Sequence, residues 1–483
     1  MQLGFHALCG EQGFMSTNTY PPGPKVSRLD GFLLATRRRD ILNFLTKVAG
    51  DYGDIAHFQI GPKRIFLLNH PDYIKDALTR HYEIFTKGRP GRRTRHFLGN
   101  GLLTSEGEFH RRQRRLIQPA FDRQHFAAHE SVLMEHGVRL RKRWQHGQQV
   151  DIMREMKGLT LAITSKMIFD TETDAEANDI NEAVALVISQ FQLFGSQLGN
   201  VLAKLPMSGA RRVRKAQDRL DGIVRRRIAE RRQSGKDHGD LLSMLISALD
   251  EPSSDMQMDE LTVRDEAVTF FLAGHETMGT ALAWTWFLLA QDRAVQAELH
   301  AELDTVLGSR LPALADMAQL RYTKMVFAEA MRMYPPAWIL ARYLIKDFET
   351  GGYVLPAGSI ALLSQYLMHH DSRYFPDPSR FDPQRWTSEL KATRPQYSYF
   401  PFGGGPRGCL GEGLAWIQGT LLIATIAQQW RVQAVPSPPV ELHPLITLQP
   451  QRTLMLQLAQ RGGFNGGVES PDHQLYVRPA HRP

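Results

Sequence analysis

From about Glu108 to Leu307 apolar residues recur at spacings of three and four, with few alternating stretches between them. That period predicts a succession of amphipathic α-helices. Alternation appears earlier, where IAHFQI, the turn GPK and RIFLLN read as a β-hairpin about Pro62. A helix opening near Pro71, with proline in its first turn, is expected next. One stretch breaks the amphipathic rule. From about Val263 to Leu289 the chain is apolar on almost every side, which predicts a buried helix roughly 40 Å long at about 1.5 Å per residue. Beyond a helix around Glu329, GYVLPAGSIALLSQ reads as short strands, a helix follows Cys409, and LITLQPQRTLMLQLAQ holds further strands. The pattern predicts a mainly α fold with minor β, one large domain over residues 21–461 between a loose leader (1–20) and a loose tail (462–483).

Composition changes this picture little. An apolar share of 42% and a charged share of 22% describe a globular protein with ample core. Cys9 and Cys409 are the only cysteines, which excludes a disulfide framework or a multi-cysteine zinc site and suits a reducing compartment. No segment is an apolar run of membrane-spanning length and the N-terminus has no basic signal region, so a cytoplasmic protein with no transmembrane anchor is expected. The formal charge of +8 raises nucleic acid as a partner. The densest basic run, RRVRKAQDRLDGIVRRRIAERRQ, carries Val213, Ala216, Leu220, Ile223, Val224 and Ile228 at helical spacing. Its arginines therefore form a solvated helix face, and no zinc-finger or stacking-aromatic pattern accompanies them.

The chemistry concentrates in FGGGPRGCLG, Phe402 to Gly411. A phosphate loop would place Lys-Ser or Lys-Thr after its glycines, a cysteine nucleophile would need a histidine base, and a third reading is a thiolate bound to heme iron. On that reading the glycines let backbone amides approach the sulfur, the following helix turns its positive end toward it and favours the thiolate, Arg407 meets a propionate, and Phe402 shields the sulfur from water. Phe402, Gly405, Arg407, Cys409 and Gly411 match at each defining position the heme-binding loop of the cytochrome P450 family, which the chain resembles.

Further segments occur in that family's order. AGHET, Ala273 to Thr277, lies inside the long apolar stretch; small Ala273 and Gly274 leave room for a flat cofactor and O2. Glu276 and Thr277 are an acid and an alcohol in mid-helix, where burial is costly unless they work or are paired, and the resemblance implies that such a pair delivers protons during O2 activation. Without that resemblance, a threonine bonded back to its own helix explains the pattern equally well. EAMR, Glu329 to Arg332, is an ordinary i,i+3 pair that the resemblance extends to a buried Glu329–Arg332–Arg385 network of structural role. In HRRQR, His110 and Arg114 share a helix face and can reach one propionate, as can Arg342. The family's usual aromatic is replaced by His110, and this helix is expected to border the surface where acidic electron donors dock.

The resemblance implies a monooxygenase that carries heme b (iron protoporphyrin IX), with Cys409 as axial ligand, inserting one atom of O2 into an apolar lipid-, terpenoid- or polyketide-like substrate. Electrons would come from separate partners, a ferredoxin or flavodoxin with its reductase, since no room for a redox domain follows residue 461. A peroxide-driven fatty-acid peroxygenase of the same fold is the alternative; the Glu276–Thr277 pair argues against it. Pocket walls are expected from RPGRRTRHFLGNGLL, QFQLFGSQLGNVLAKL, Phe270–Ala273, Ala337–Leu340 and Leu445–Leu448. Arg92, Arg93 and Arg95 could catch a substrate carboxylate.

Overall fold

The computed structural model describes residues 20–27, 39–88, 95, 98–121, 123–169, 208–235, 241–247 and 259–462. Residues 1–19 of the predicted leader, 463–483 of the predicted tail, the QFQLFGSQLGNVLAKL wall, Arg92 and Arg93 lie outside them.

The chain enters through α1 (Arg39–Tyr52) and the expected hairpin, β1 (Ile55–Ile60) and β2 (Lys63–Leu68), then α2 (Pro71–Lys75) and the short β3 (Phe85–Thr86). Pro71 occupies the first turn of α2. Helices α3 (Gly107–Ile117), α4 (Arg123–Arg143), α5 (Ile152–Phe169, after β4, Gln149–Asp151), α6 (Ser208–Ser234), α7 (Leu241–Ser247), α8 (Glu260–Gln291), α9 (Arg293–Val306) and α10 (Arg321–Met333) follow. The last third alternates β5 (Leu340–Leu344), β6 (Phe348–Thr350), β7 (Tyr353–Leu355) and β8 (Ile360–Leu363) with α11 (Gln365–His369) and α12 (Ser388–Ala392). It closes with α13 (Glu412–Ala427), β9 (Trp430–Ala434), β10 (Leu442–Pro444), β11 (Leu448–Pro450) and β12 (Met455–Gln460).

The two helices with no polar face organise the core. α8 has 32 residues, about 48 Å at 1.5 Å per residue, longer than its apolar run predicts because Asp259 caps the N-terminus by accepting from the Thr262 N–H at 2.7 Å. Its inner residues, Trp284 and Trp286 among them, are fully buried and share one apolar cluster with Leu421 to Ile423 of α13. α8 lies chiefly against α5, and α13 against α4. A mixed sheet of order β1-β2-β8-β5-β3 forms one wall; its β2–β8 pair is parallel and the rest antiparallel. β4-β12-β9 make a second sheet, and β10–β11 form a small hairpin. Trp284 Nε1 of α8 donates to the Leu448 carbonyl at 2.8 Å and Trp338 Nε1 to the Leu445 carbonyl at 3.0 Å, so this hairpin is fastened to the central helix.

Candidate active site

The glycine-rich segment is a tight loop just before α13. Cys409 N–H donates to the Phe402 carbonyl at 2.9 Å and Gly408 N–H to the Gly405 carbonyl at 2.9 Å. Gly405 has φ +63°, and a Cβ there would stand 1.9 Å from the Leu78 carbonyl oxygen. Only glycine fits that crossing. Gly405 thus shapes the loop from behind, whereas Phe402, Arg407, Cys409 and Gly411 line a cavity of about 390 Å³. The Phe402 ring is edge-on to Trp416 of α13. The Cys409 side chain is open to the cavity. Burial pushes its thiol up; the Gly411 N–H and Arg114 pull the other way. The helix end therefore acts in the expected sense, but desolvation outweighs it.

Opposite the loop runs α8. Ala273, Gly274 and Thr277 line the same cavity, with Phe270 one turn earlier. Thr277 Oγ1 donates to the Ala273 carbonyl at 2.6 Å, the back-bonded arrangement open to a mid-helix threonine. Glu276 is turned to the other side and is not among the cavity-lining residues. Its Oε1 accepts from Lys157 Nζ at 3.0 Å, Thr447 Oγ1 at 2.8 Å and Gln449 Nε2 at 2.7 Å. The acid and the alcohol, adjacent in sequence, face different neighbours: the cavity for Thr277, α5 and the β10–β11 hairpin for Glu276.

One edge of the cavity is cationic. Arg114, Arg342, Arg407 and Lys87, a residue the sequence did not single out, all line it beside His110. Glu106, paired to Arg407, is the carboxylate set among them. Burial, then mutual repulsion with Arg407, brings Arg342 down to about 10 and Lys87 to about 7. Desolvation, Arg407, Lys87 and Arg114 bring His110 to about 3, so it is a neutral imidazole, able to donate a hydrogen bond but not a charge. Arg114 Nη1 donates to the Gly408 carbonyl at 2.7 Å, tying α3 to the cysteine loop. Arg407 Nη1 donates to the Ser105 carbonyl at 2.7 Å.

These residues fit a flat, dianionic, iron-bearing cofactor. Desolvated cations that depress one another call for anions, and two propionates supply them. Gln365 lines the cavity wholly buried, with neither amide atom partnered, so it too awaits a polar group. A single thiol faces the apolar centre. Among the described residues no cluster of three or more His, Cys, Asp or Glu side chains offers a competing metal site.

Glu329, Arg332 and Arg385 come together away from the cavity. Arg332 forks onto Glu329 with both bonds at 2.8 Å, and Arg385 Nε stands 3.3 Å from Glu329 Oε1. Trp386 Nε1 donates to the same carboxylate at 2.9 Å. Among the predicted walls, Leu102, Leu103, Ala337 and Leu340 line the cavity. Leu445 to Leu448 do not; Leu448 is fully buried in the apolar core, and the hairpin's polar side chains point to Glu276. Arg95 Nε donates to the Thr104 carbonyl at 2.9 Å, which commits it to the loop itself. Lys87 and Gln365 were missed because each is a lone polar residue whose neighbours come from distant segments.

The family model described as Cytochrome P450 matches residues 21–457. Cyclooctatin synthase of Streptomyces melanosporofaciens is 36% identical over 422 residues, 87% of this chain and 91% of its own length. Cyclooctat-9-en-7-ol 5-monooxygenase of the same organism is 37% identical over 408 residues, 84% of this chain and 88% of that protein. Pentalenene oxygenase of Streptomyces avermitilis is 32% identical over 453 residues, 92% and 99% of the two chains.

Proposed function

This chain belongs to the cytochrome P450 family, is a monooxygenase and carries heme b; we propose that it oxidises a cyclic terpenoid and that Cys409 is the axial ligand of its iron. The observation that carries the site assignment is that Cys409 and Thr277 line one apolar cavity from opposite sides, with the cation cluster at its edge. The terpenoid class is supported by the compounds that the three relatives' names carry, cyclooctatin, cyclooctat-9-en-7-ol and pentalenene, and by walls built from Leu102, Leu103, Phe270 and Leu340.

When bound, heme would supply the redox chemistry by which O2, with two electrons from separate partners and two protons, gives one oxygen atom to the substrate and the other to water. Arg114, Arg342, Arg407 and Lys87 would hold its propionates, and charge-assisted bonds of this kind contribute about 1.5–3 kcal/mol each. Phe402 would cover the sulfur, with Trp416 fixing the ring. Thr277 presents a hydroxyl to the reacting space; Glu276, one residue behind it, would be the proton source after release from Lys157, Thr447 and Gln449. A ferredoxin or flavodoxin with its reductase would deliver the electrons at the face bordered by α3.

The test is a spin-state titration of the purified ferric holoprotein against cyclic terpenes, fatty acids, steroids and macrolides. A saturable low-spin to high-spin shift with cyclic terpenes alone is expected; a shift confined to fatty acids or macrolides would overturn the substrate class. Cys409→Ser is expected to abolish the red-shifted Soret band of the reduced carbonyl complex. Retention of that band would overturn the ligand assignment.

A further inference from the structure

Thr269 lies eight residues before Thr277 on α8, about 12 Å away along the axis at 1.5 Å per residue, and lines the same cavity. Its chemistry differs from that of the other threonines of the helix. Thr277, Thr280 and Thr285 each donate to the carbonyl four residues back, at 2.6, 2.8 and 2.8 Å. Thr269, only 3% exposed, has a hydroxyl with no partner. One turn earlier Glu266 is fully buried; its Oε2 accepts from the Leu102 N–H at 3.0 Å, while Oε1 has no partner. Desolvation, with Asp265 nearby, raises this carboxyl to about 8, against weaker opposing effects of the Leu102 N–H and Lys87. At neutral pH it therefore carries a proton and can donate as well as accept.

The loop above is shaped around these groups. A Cβ on Gly101 would stand 2.4 Å from Thr269 Oγ1, and one on Gly99 would overlap the Asp265 carboxylate, which accepts from the Asn100 N–H at 2.5 Å. The next residue along, Leu102, both binds Glu266 and lines the cavity. An unpaired buried hydroxyl on a residue that lines a ligand cavity, with a second unpaired oxygen, Glu266 Oε1, one helical turn behind it, needs a reason. Apolar cavities with a few placed polar groups use those groups to fix ligand orientation.

We propose that Thr269, backed by Glu266, is the polar anchor of the substrate site, binding one hydroxyl or keto oxygen on an otherwise apolar polycyclic skeleton. This rests on the terpenoid reading above and narrows it to an oxygenated terpenoid. The anchored oxygen sits at the end remote from Thr277 and Cys409, so the anchor determines which carbon faces the oxidising end.

The test pairs each hydrocarbon of a cyclic terpene panel with its own alcohol, beginning with cedrene and cedrol, in spin-state titrations of the holoprotein. In the wild type the best-bound alcohol is expected to bind roughly tenfold tighter than its hydrocarbon, and Thr269→Val to remove that preference while leaving the hydrocarbon within about twofold. Thr269→Ser, which keeps the hydroxyl, and Glu266→Gln, which keeps a donor and an acceptor, are expected to retain the preference. Hydrocarbon binding with no alcohol preference, or a preference that Thr269→Val leaves intact, would overturn the anchor and spare the terpenoid reading. No shift with any terpenoid would overturn both.

Discussion

Gly405 and Gly352 separate two costs that a single substitution usually mixes. Both have positive φ, +63° and +79°, but a Cβ on Gly405 would meet the Leu78 carbonyl at 1.9 Å whereas one on Gly352 meets nothing within 4 Å. Gly352→Ala should cost about 1–2 kcal/mol, the left-handed penalty alone. Gly405→Ala adds displacement of the backbone beneath Cys409, and should cost more than about 3 kcal/mol and release heme. Urea unfolding of the two variants, with heme retention followed by absorbance, checks this; equal losses would mean that the Leu78 crossing is slack. Among the other glycines of the cysteine loop, Gly403, Gly404 and Gly411 have side chains as nearest neighbours, and a Cβ on Gly408 would meet the Gly405 carbonyl oxygen only at 3.2 Å.

At the scale of elements, a few polar side chains fasten pieces that apolar packing alone leaves adjacent. Glu276 joins α8 to α5 through Lys157 and to the β10–β11 hairpin through Thr447 and Gln449. Glu329 joins α10 to the segment before α12, accepting from Arg332, from Trp386 and from the Asp382 N–H at 3.1 Å. Glu329 and Arg332 are both fully buried, and removing one partner of such a pair strands the other charge. Glu329→Ala should therefore lower stability by about 3–5 kcal/mol, read as a fall in the urea midpoint and in recovery of folded heme protein. A variant within 1 kcal/mol of the wild type, about the median value of an exposed pair, would show that Arg332 finds water or another acceptor. The EAMR pair is in plain view in the sequence because its two residues sit one helical turn apart, whereas Arg385 joins them only through the family resemblance. Glu276 is different. Its residue type and place beside Thr277 are visible, but its partners stand 119, 171 and 173 residues away, and no local period encodes which way a mid-helix carboxylate turns.

Across the whole molecule, legibility follows the same division. α8 and α13 could be read because a helix apolar on all sides has only the interior to occupy, and the β1–β2 hairpin because alternation and a two-residue turn fix its register. Lys87, Gln365 and Thr269 could not, since each is defined by an environment that distant segments assemble. That burial leaves a titration signature. His275 and His300 are lowered to about 4 and His370 to about 3, while His369 lies well below its usual range, all chiefly by desolvation. His369 Nε2 accepts from the Phe400 N–H at 3.0 Å, which requires the neutral ring. In the unfolded chain each imidazole takes up a proton near pH 6.5, whereas in the folded protein these four stay neutral until about pH 4 or below. Between those limits the unfolded state binds more protons, so stability falls as pH falls, by about 1.4 kcal/mol per pH unit for each histidine. Above about pH 6.5 they contribute no slope. Urea midpoints of the holoprotein should therefore hold level through neutrality with respect to these groups and drop steeply from pH 6.5 to 4.5, and His300→Gln should make the drop shallower. A midpoint flat across that interval would mean that the buried imidazoles gain protons, and counter-charges, without opening the fold.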